Sequence, residues 1–564
     1  MADPLTQIST RITPQTEPGR PDQVKNAAGG YVFKAGDDVR VRRFLVLGTT
    51  AGTYYASPRD ITRDNADLII ATAKERGSWL VGEILAISTE GRAPRQDPGL
   101  FALAVVAAHG DDDARAAALS ALPAVARTAS TLFQFVKYVE QFRGWGKGLR
   151  QAVARWYLGN TTDWLAYQMV KYRQRHGWTH RDVLRSAHVL AAEQNLTTND
   201  PARRALLAWG AGKIKAADLG EAAHLPPIVG AFERVWASDD PALWEAETWD
   251  HHLPWEALPD AARTRPEVWA TLVRQGMPIT ALLRNLPTLT RLGVLDDAAV
   301  LATVTARLTD PEALRKGRVH PLNVLLAART YASGRSLRGD STWTPNRHVV
   351  DALDAAFYAS LHTVEGSGKR MLVALDVSGS MGAPLMDLPQ AGRWDHRVLP
   401  LTVREAAAAM TLAILNSEPY ADVIGFTGSG SHSFRDAFDQ RPEYVSELDI
   451  TPRRRLDDVV SYVTGMPFGP TDVALPALWA IHHKRHYDGI LILTDNETWS
   501  GNVHPWQAMN RYRQRLVPDA RMVVMAMTAT DVSVADPTDP LSLDIAGLDA
   551  SAPNLIADFV AGRV

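Results

Sequence analysis

Met371-Leu-Val-Ala-Leu375 followed by Asp376-Val-Ser378-Gly-Ser380 is the stretch that decides the fold of this 564-residue chain. The apolar run reads as a buried parallel strand. It ends in a loop of one carboxylate and two hydroxyls, which places hard oxygen donors at the carboxyl end of a sheet. Open α/β folds bind their ligands there, and oxygen donors with few fixed charges suit Mg²⁺. Two later segments repeat the pattern. Thr471 lies in the turn-forming Gly469-Pro470-Thr471-Asp472, and Asp495 ends a second apolar run, Gly489-Ile-Leu-Ile-Leu-Thr494. A parallel sheet brings the three strand-end loops together.

A lone Asp-x-Ser-x-Ser occurs by chance, but here a Thr follows about 90 residues on and an Asp about 25 further. This set resembles the metal-ion-dependent adhesion site of von Willebrand factor A domains. The resemblance implies that Asp376, Ser378, Ser380, Thr471 and Asp495 hold Mg²⁺ or another divalent cation. A Ser-rich turn capping a helix is the plain alternative for the first loop. A haloacid-dehalogenase phosphatase needs a second Asp two residues after the first, and Ser378 stands there.

Outward from this site, the chain is long enough for two or three domains. Its 46% apolar and 22% charged residues are those of an ordinary globular protein. With no Cys, disulfides, thiol nucleophiles and Cys-based zinc sites are excluded. Met1 to Arg20 is polar and broken by Pro, and no run of apolar residues is long enough to span a bilayer, so a cytoplasmic location is expected. Arg exceeds Lys and Ala is abundant, a composition that hints at a GC-rich bacterial genome. From about residue 60 to 350 the pattern is helix after helix, broken by Leu225-Pro-Pro227 and Gly276-Met-Pro278. Arg265-Pro266-Glu267 opens one helix, with Val268, Trp269, Leu272 and Val273 on its apolar face. Serial helical hairpins of this kind stack as a solenoid. From about 369 strands and helices alternate, which predicts a doubly wound α/β domain joined through Gly366-Ser-Gly-Lys369.

The net charge of −3 hides a segregation. Thr131 to Leu190 carries ten Lys or Arg against Glu140, Asp163 and Asp182, a local +7. This is the electrostatic footprint of a phosphate-binding face. Aromatic residues, Trp145 and Trp178 among them, lie between these charges.

Blocks along the whole chain resemble the Ro autoantigen family. They include Gly29-Gly-Tyr-Val32, Arg43-Phe-Leu-Val-Leu-Gly48, Gly144-Trp-Gly-Lys-Gly-Leu-Arg150, Lys171-Tyr-Arg-Gln-Arg175, Ala281-Leu-Leu-Arg-Asn-Leu286 and Thr494-Asp-Asn-Glu-Thr-Trp499. The resemblance implies a flexible tail (1–24), a ring of HEAT-like helical repeats called a TROVE domain (25–365), and a von Willebrand A-like domain (369–564). It further implies Y-like small noncoding RNA on the outer ring surface and single-stranded 3′ ends of misfolded RNA in the central hole. A 3′–5′ exoribonuclease such as polynucleotide phosphorylase is the implied partner, and the chain is expected to be a monomer. The family's outer-surface contacts fall on Lys171, Arg175 and His188. An i, i+4 spacing would put the first two on one helix face, where they would neutralise phosphates while the His bonds a sugar or base edge. Arg40, Arg42, Arg43, Lys147, Arg150 and Arg284 are candidates for the hole. Pro470 departs from the Gly usual in the family and could stiffen the Thr471 loop. A non-enzymatic RNA scaffold is the resulting expectation. The alternatives are a metal-dependent protein-interaction module without RNA and a metal-dependent hydrolase.

Overall fold

Between residues 58 and 359 apolar side chains recur at helical spacing, and there the chain forms successive helices from Pro58–Glu90 to Arg347–Ala359. The computed structural model describes residues 12–48, 58–194, 200–218, 220–336, 340–361, 366–383, 401–428, 444–466 and 469–564. Local chemistry sets the helix ends. Pro266–Arg274 opens on proline and buries Val268, Trp269, Leu272 and Val273. Gly276 then turns the chain with a φ of +86°, which a side chain would strain. Thr161, Thr179 and Asp200 each cap a helix by accepting a backbone N–H.

Helices pack on their neighbours in series, and the series closes on itself. Arg318 Nε donates to the Thr89 carbonyl and Asn323 Nδ2 to the Pro94 carbonyl, each at 3.2 Å, so late helices rest on the end of an early one. The result is the expected ring of helical repeats.

The second domain is a six-stranded sheet. In spatial order its strands are Ser542–Ala546, Arg521–Ala526, Gly489–Thr494, Met371–Asp376, Ala421–Phe426 and Val445–Glu447. All neighbours pair in parallel except the last two, which are antiparallel. Met371–Asp376 and Gly489–Thr494 are buried at every position, as their unbroken apolar runs require. From Met371–Asp376 the chain crosses first to one side of the sheet and later to the other. This strand is therefore the topological switch point, and its carboxyl end opens a crevice.

The two domains share one continuous apolar core. Polar contacts lock the joint: Arg92 grips Asp549, Arg329 pairs with Glu405 at 2.6 Å, and the Tyr358 hydroxyl donates to the Arg454 carbonyl. The linker is also held. Glu418 accepts from both the Ser367 N–H and the Ser367 hydroxyl.

The expected flexible tail, 1–24, requires correction over residues 12–24, the part that is described. Gln15 is fully buried and its amide donates to Asp472 and to the Val503 carbonyl. Gln23–Lys25 pairs with Tyr31–Lys34, which pairs in turn with Val532–Ser533 of the second domain. A polar, Pro-broken sequence suggested solvent. Here the polar side chains satisfy buried loops of the second domain instead. Gly30 is part of that fit, since a Cβ there would lie 2.0 Å from the Thr498 carbonyl.

Candidate functional site

At the switch point, three loops are tied to one another by their backbones. Gly379 N–H donates to the Gly469 carbonyl, while the Trp499 and Ser500 N–H groups both donate to the Thr471 carbonyl. Asp376, Ser378, Ser380, Thr471 and Asp495 are all buried. Asp376 accepts from the Ser378 N–H at 2.9 Å and from the Thr494 hydroxyl at 2.7 Å. The Ser378 and Ser380 hydroxyls lie 3.1 Å apart, and the Ser380 hydroxyl bonds Asp495. Two oxygens of the set, Thr471 Oγ1 and Asp495 Oδ2, are buried with no hydrogen-bond partner among the described residues.

Electrostatics sharpen this picture. Burial, followed by the nearby Asp376 carboxylate, pushes Asp495 up to about 7. Burial likewise raises Asp376, against the lowering effect of its hydrogen bonds. Two desolvated carboxylates and two orphaned oxygens are the environment that a small hard cation relieves. The donor set fits such an ion. Among the described residues no group of three His, Asp or Glu could hold a metal, so hydroxyls must supply part of any coordination shell.

Several supports of this site carried no motif. Arg404 donates from Nη2 to the Val377 and Ser378 carbonyls at 2.9 and 2.8 Å, fixing the first loop from behind. Glu497, raised to about 7 by burial, accepts from the Ala28 N–H of the N-terminal segment. Thr494 was readable, as the hydroxyl beside Asp495. Arg404 and Gln15 were not, because sequence distance conceals both contacts.

On the ring, Lys171 ends the helix Thr162–Lys171. Its side chain is 8% exposed, with Nζ 3.7 Å from Glu256 and over the Tyr167 and Tyr172 rings. Burial lowers its pKa, Glu256 opposes that, and the positive charges of Arg284 and Arg175 add to it. The expectation that Lys171 and Arg175 share a helix face is overturned. Arg175 sits in a hairpin, paired with Trp178 across a turn in which His176 and Gly177 both have positive φ. That two-residue turn is the type favoured between antiparallel strands.

Arg175 and Arg284 are exposed and come together around Tyr172, so residues assigned to outer surface and hole share one neighbourhood. His188 is exposed at a φ of +55°, between His180–Ser186 and Val189–Gln194. Lys147 and Arg150 are exposed on the first turn of a separate helix, Lys147–Leu158.

Arg43 requires correction as a hole-lining candidate. It is 1% exposed and spends its guanidinium on the Thr530 and Val532 carbonyls and on Asp544, at the joint between domains. Arg42 makes two 2.9 Å bonds to Glu83, and half-buried Arg40 pairs with Asp37. Neighbouring carboxylates thus hold much of the charge of this helix, Asp37–Leu47.

Comparison with known proteins accounts for the whole chain. The TROVE domain family matches residues 24–217 and 243–369, and the Ro60 vWA domain family matches residues 370–560. RNA-binding protein RO60 of Deinococcus radiodurans is 38% identical over 569 aligned residues that cover both chains entirely. RNA-binding protein RO60 of Caenorhabditis elegans is 34% identical, covering 98% of this chain and 92% of the worm protein. The crystal structure of the Deinococcus radiodurans RO (RSR) protein superposes with a TM-score of 0.67 at 36% identity, over 94% of this chain and all of that one. With a helical ring joined to a switch-point sheet, both domain families matched in order and full-length relatives above 30% identity, this chain belongs to the Ro family.

Proposed function

We propose that this chain is a non-enzymatic RNA-binding scaffold. Its ring holds a Y-like small noncoding RNA on the outer surface, and the ring hole takes single-stranded 3′ ends of misfolded RNA. The observation that carries this reading is the meeting of exposed Arg175, from the stretch of local charge +7, with exposed Arg284 beside Tyr172. Guanidinium groups there neutralise phosphates, while Lys171 and Glu256 form the buried footing. His188 adds a neutral contact to a sugar or base edge. Likeness over full length to proteins named for RNA binding supports the same reading.

The second domain adds a metal centre. Asp376, Ser378, Ser380, Thr471 and Asp495 would hold one Mg²⁺ through their hydroxyl and carboxylate oxygens. A carboxylate of a protein partner would add a further oxygen donor of the kind Mg²⁺ takes. A 3′–5′ exoribonuclease such as polynucleotide phosphorylase is the partner this scheme calls for, acting in the cytoplasm on RNA presented by a monomeric ring. A single hydroxyl-rich cation site lacks the paired-metal carboxylate cluster of metal nucleases.

The test compares a structured small RNA with and without a single-stranded 3′ tail. Wild type should bind the tailed form more tightly, and Arg175→Ala with Arg284→Ala should weaken the structured part. Purified protein with Mg²⁺ should leave both RNAs intact. Equal affinity for tailed and blunt RNA, unchanged in the double variant, would sink the assignment.

A further inference from the structure

Arg173, Arg181, Trp209, Lys213, Lys215 and Trp236 line a cavity of about 860 Å³ on the ring. A volume of this order accommodates a small ligand. Arg203, Arg204 and Arg234 nearby in sequence are paired with Asp200, Glu193 and Glu247. By contrast, none of the four cavity cations forms an ion pair among the described residues. The two carboxylates in the wall are occupied by the protein itself. Glu233 accepts from the Trp209 indole N–H at 2.7 Å and from the Ala216 N–H at 2.9 Å, and Asp218 accepts from the Lys215 N–H at 2.6 Å. Glu233 also acts on Arg173, so the wall holds four cations against two carboxylates. The excess positive charge repels itself across one cavity, and an anion relieves that repulsion.

The aromatic wall narrows the choice of anion. Trp236 is 55% exposed, yet its indole N–H is spent on the Ala257 carbonyl at 2.7 Å. The ring is therefore held in place, with a π face open to solvent. Trp209 is fixed in the same manner by Glu233. Phe232 bridges the two rings, with centroid distances of 6.2 and 6.1 Å. The Arg173 guanidinium lies 5.4 Å over Trp209 and 4.8 Å over Phe232. Tethered aromatic faces beside free cations suit a flat ring attached to phosphate. An acidic peptide would use the cations and leave the π faces unused.

We infer that this cleft takes an unpaired nucleotide of an RNA strand, with its base on the Trp236 or Trp209 face and its phosphates against Lys213, Lys215 and Arg181. This rests on the RNA-binding reading and adds to it a single-nucleotide subsite separate from Arg175 and Arg284. Stacking serves any base, so the subsite selects unpaired over paired RNA rather than sequence.

A short single-stranded RNA carrying 2-aminopurine tests it. Wild type should quench the probe on binding. Trp236→Leu, at a position already half open to water, should lose the quenching and weaken binding roughly 5- to 150-fold. Lys213→Gln with Lys215→Gln should lower the slope of log affinity against log salt by roughly 0.7 per lost phosphate contact. Arg175→Ala with Arg284→Ala should weaken binding, yet at saturating protein the bound probe should be quenched as fully as by wild type. Wild-type binding that both cleft variants match, with the probe unquenched, overturns the subsite while RNA binding stands. Absence of any RNA binding by wild type overturns both. Adenosine monophosphate bound as tightly as the strand would overturn the strand assignment in favour of a free nucleotide, and an acidic peptide bound in its place would overturn the nucleotide.

Discussion

The second domain and the ring concentrate charge by opposite means. At the end of the sheet, carboxylates and hydroxyls are gathered where water is excluded, and two of their oxygens have no partner among the described residues. On the ring, Arg175 and Arg284 stand in solvent, and the only lysine of that cluster, Lys171, is buried against Glu256. The first arrangement suits one small ion in a fixed geometry. The second suits weak, salt-screened contacts to a polymer of phosphates. Burial decides which of these a charged side chain can do.

Removing hydroxyls from the buried centre should give the largest effect. Ser378→Ala with Ser380→Ala should abolish the heat of Mg²⁺ titration in calorimetry and leave RNA affinity unchanged. An unaltered titration would place the cation elsewhere, and a parallel loss of RNA affinity would break the separation of the two regions.

Lys171 sharpens the contrast within the ring itself. Lys171→Ala leaves Glu256 buried without its cation and should cost about 3 kcal/mol of stability, measured by urea unfolding. Lys171→Met with Glu256→Leu should recover most of that. A Lys171→Ala protein of wild-type stability with weakened RNA binding would return this residue to the phosphate surface.

Acid should expose a second buried group of the ring. His180 bonds the Tyr157 hydroxyl at 2.8 Å, and burial holds its pKa down to about 3, from 6.5. The unfolded chain therefore takes up this proton first as pH falls. The contribution of His180 is complete above about 6.5 and is lost between there and about 3. From pH 7 to 5 this group alone should remove about 2 kcal/mol. His180→Gln should show a flatter dependence in pH-resolved denaturation, and identical slopes would refute the assignment.

The exposed surface should give the smallest change per residue. Arg175→Ala and Arg284→Ala should each lower the log–log salt slope of RNA binding by roughly 0.7 to 0.9. His188→Ser should weaken the same complex with little change of slope, since its contact is to a sugar or base edge and not to a phosphate.

Much of the architecture was legible along the chain. Apolar runs at Met371 and Gly489 need no partner to announce buried strands, and their terminal Asp376 and Asp495 lie where any parallel sheet brings strand ends together. Helical periodicity around Val268 and Trp269 is equally local. The metal-site candidates were readable for that reason: their positions follow from strand direction. Tertiary structure alone decided burial and partners. Lys171 and Arg175 are four residues apart, yet a turn at His176-Gly177 separates a buried ammonium from an exposed guanidinium. Arg43 reads as another basic residue but closes a joint with carbonyls almost 490 residues away. A polar N-terminal segment reads as a tail, yet Gln15 is fully buried against Asp472 and Thr498. Hydrophobic periodicity and strand polarity are properties of neighbours in sequence. The desolvation of a charge depends on which distant surfaces meet it, and only the folded chain sets that.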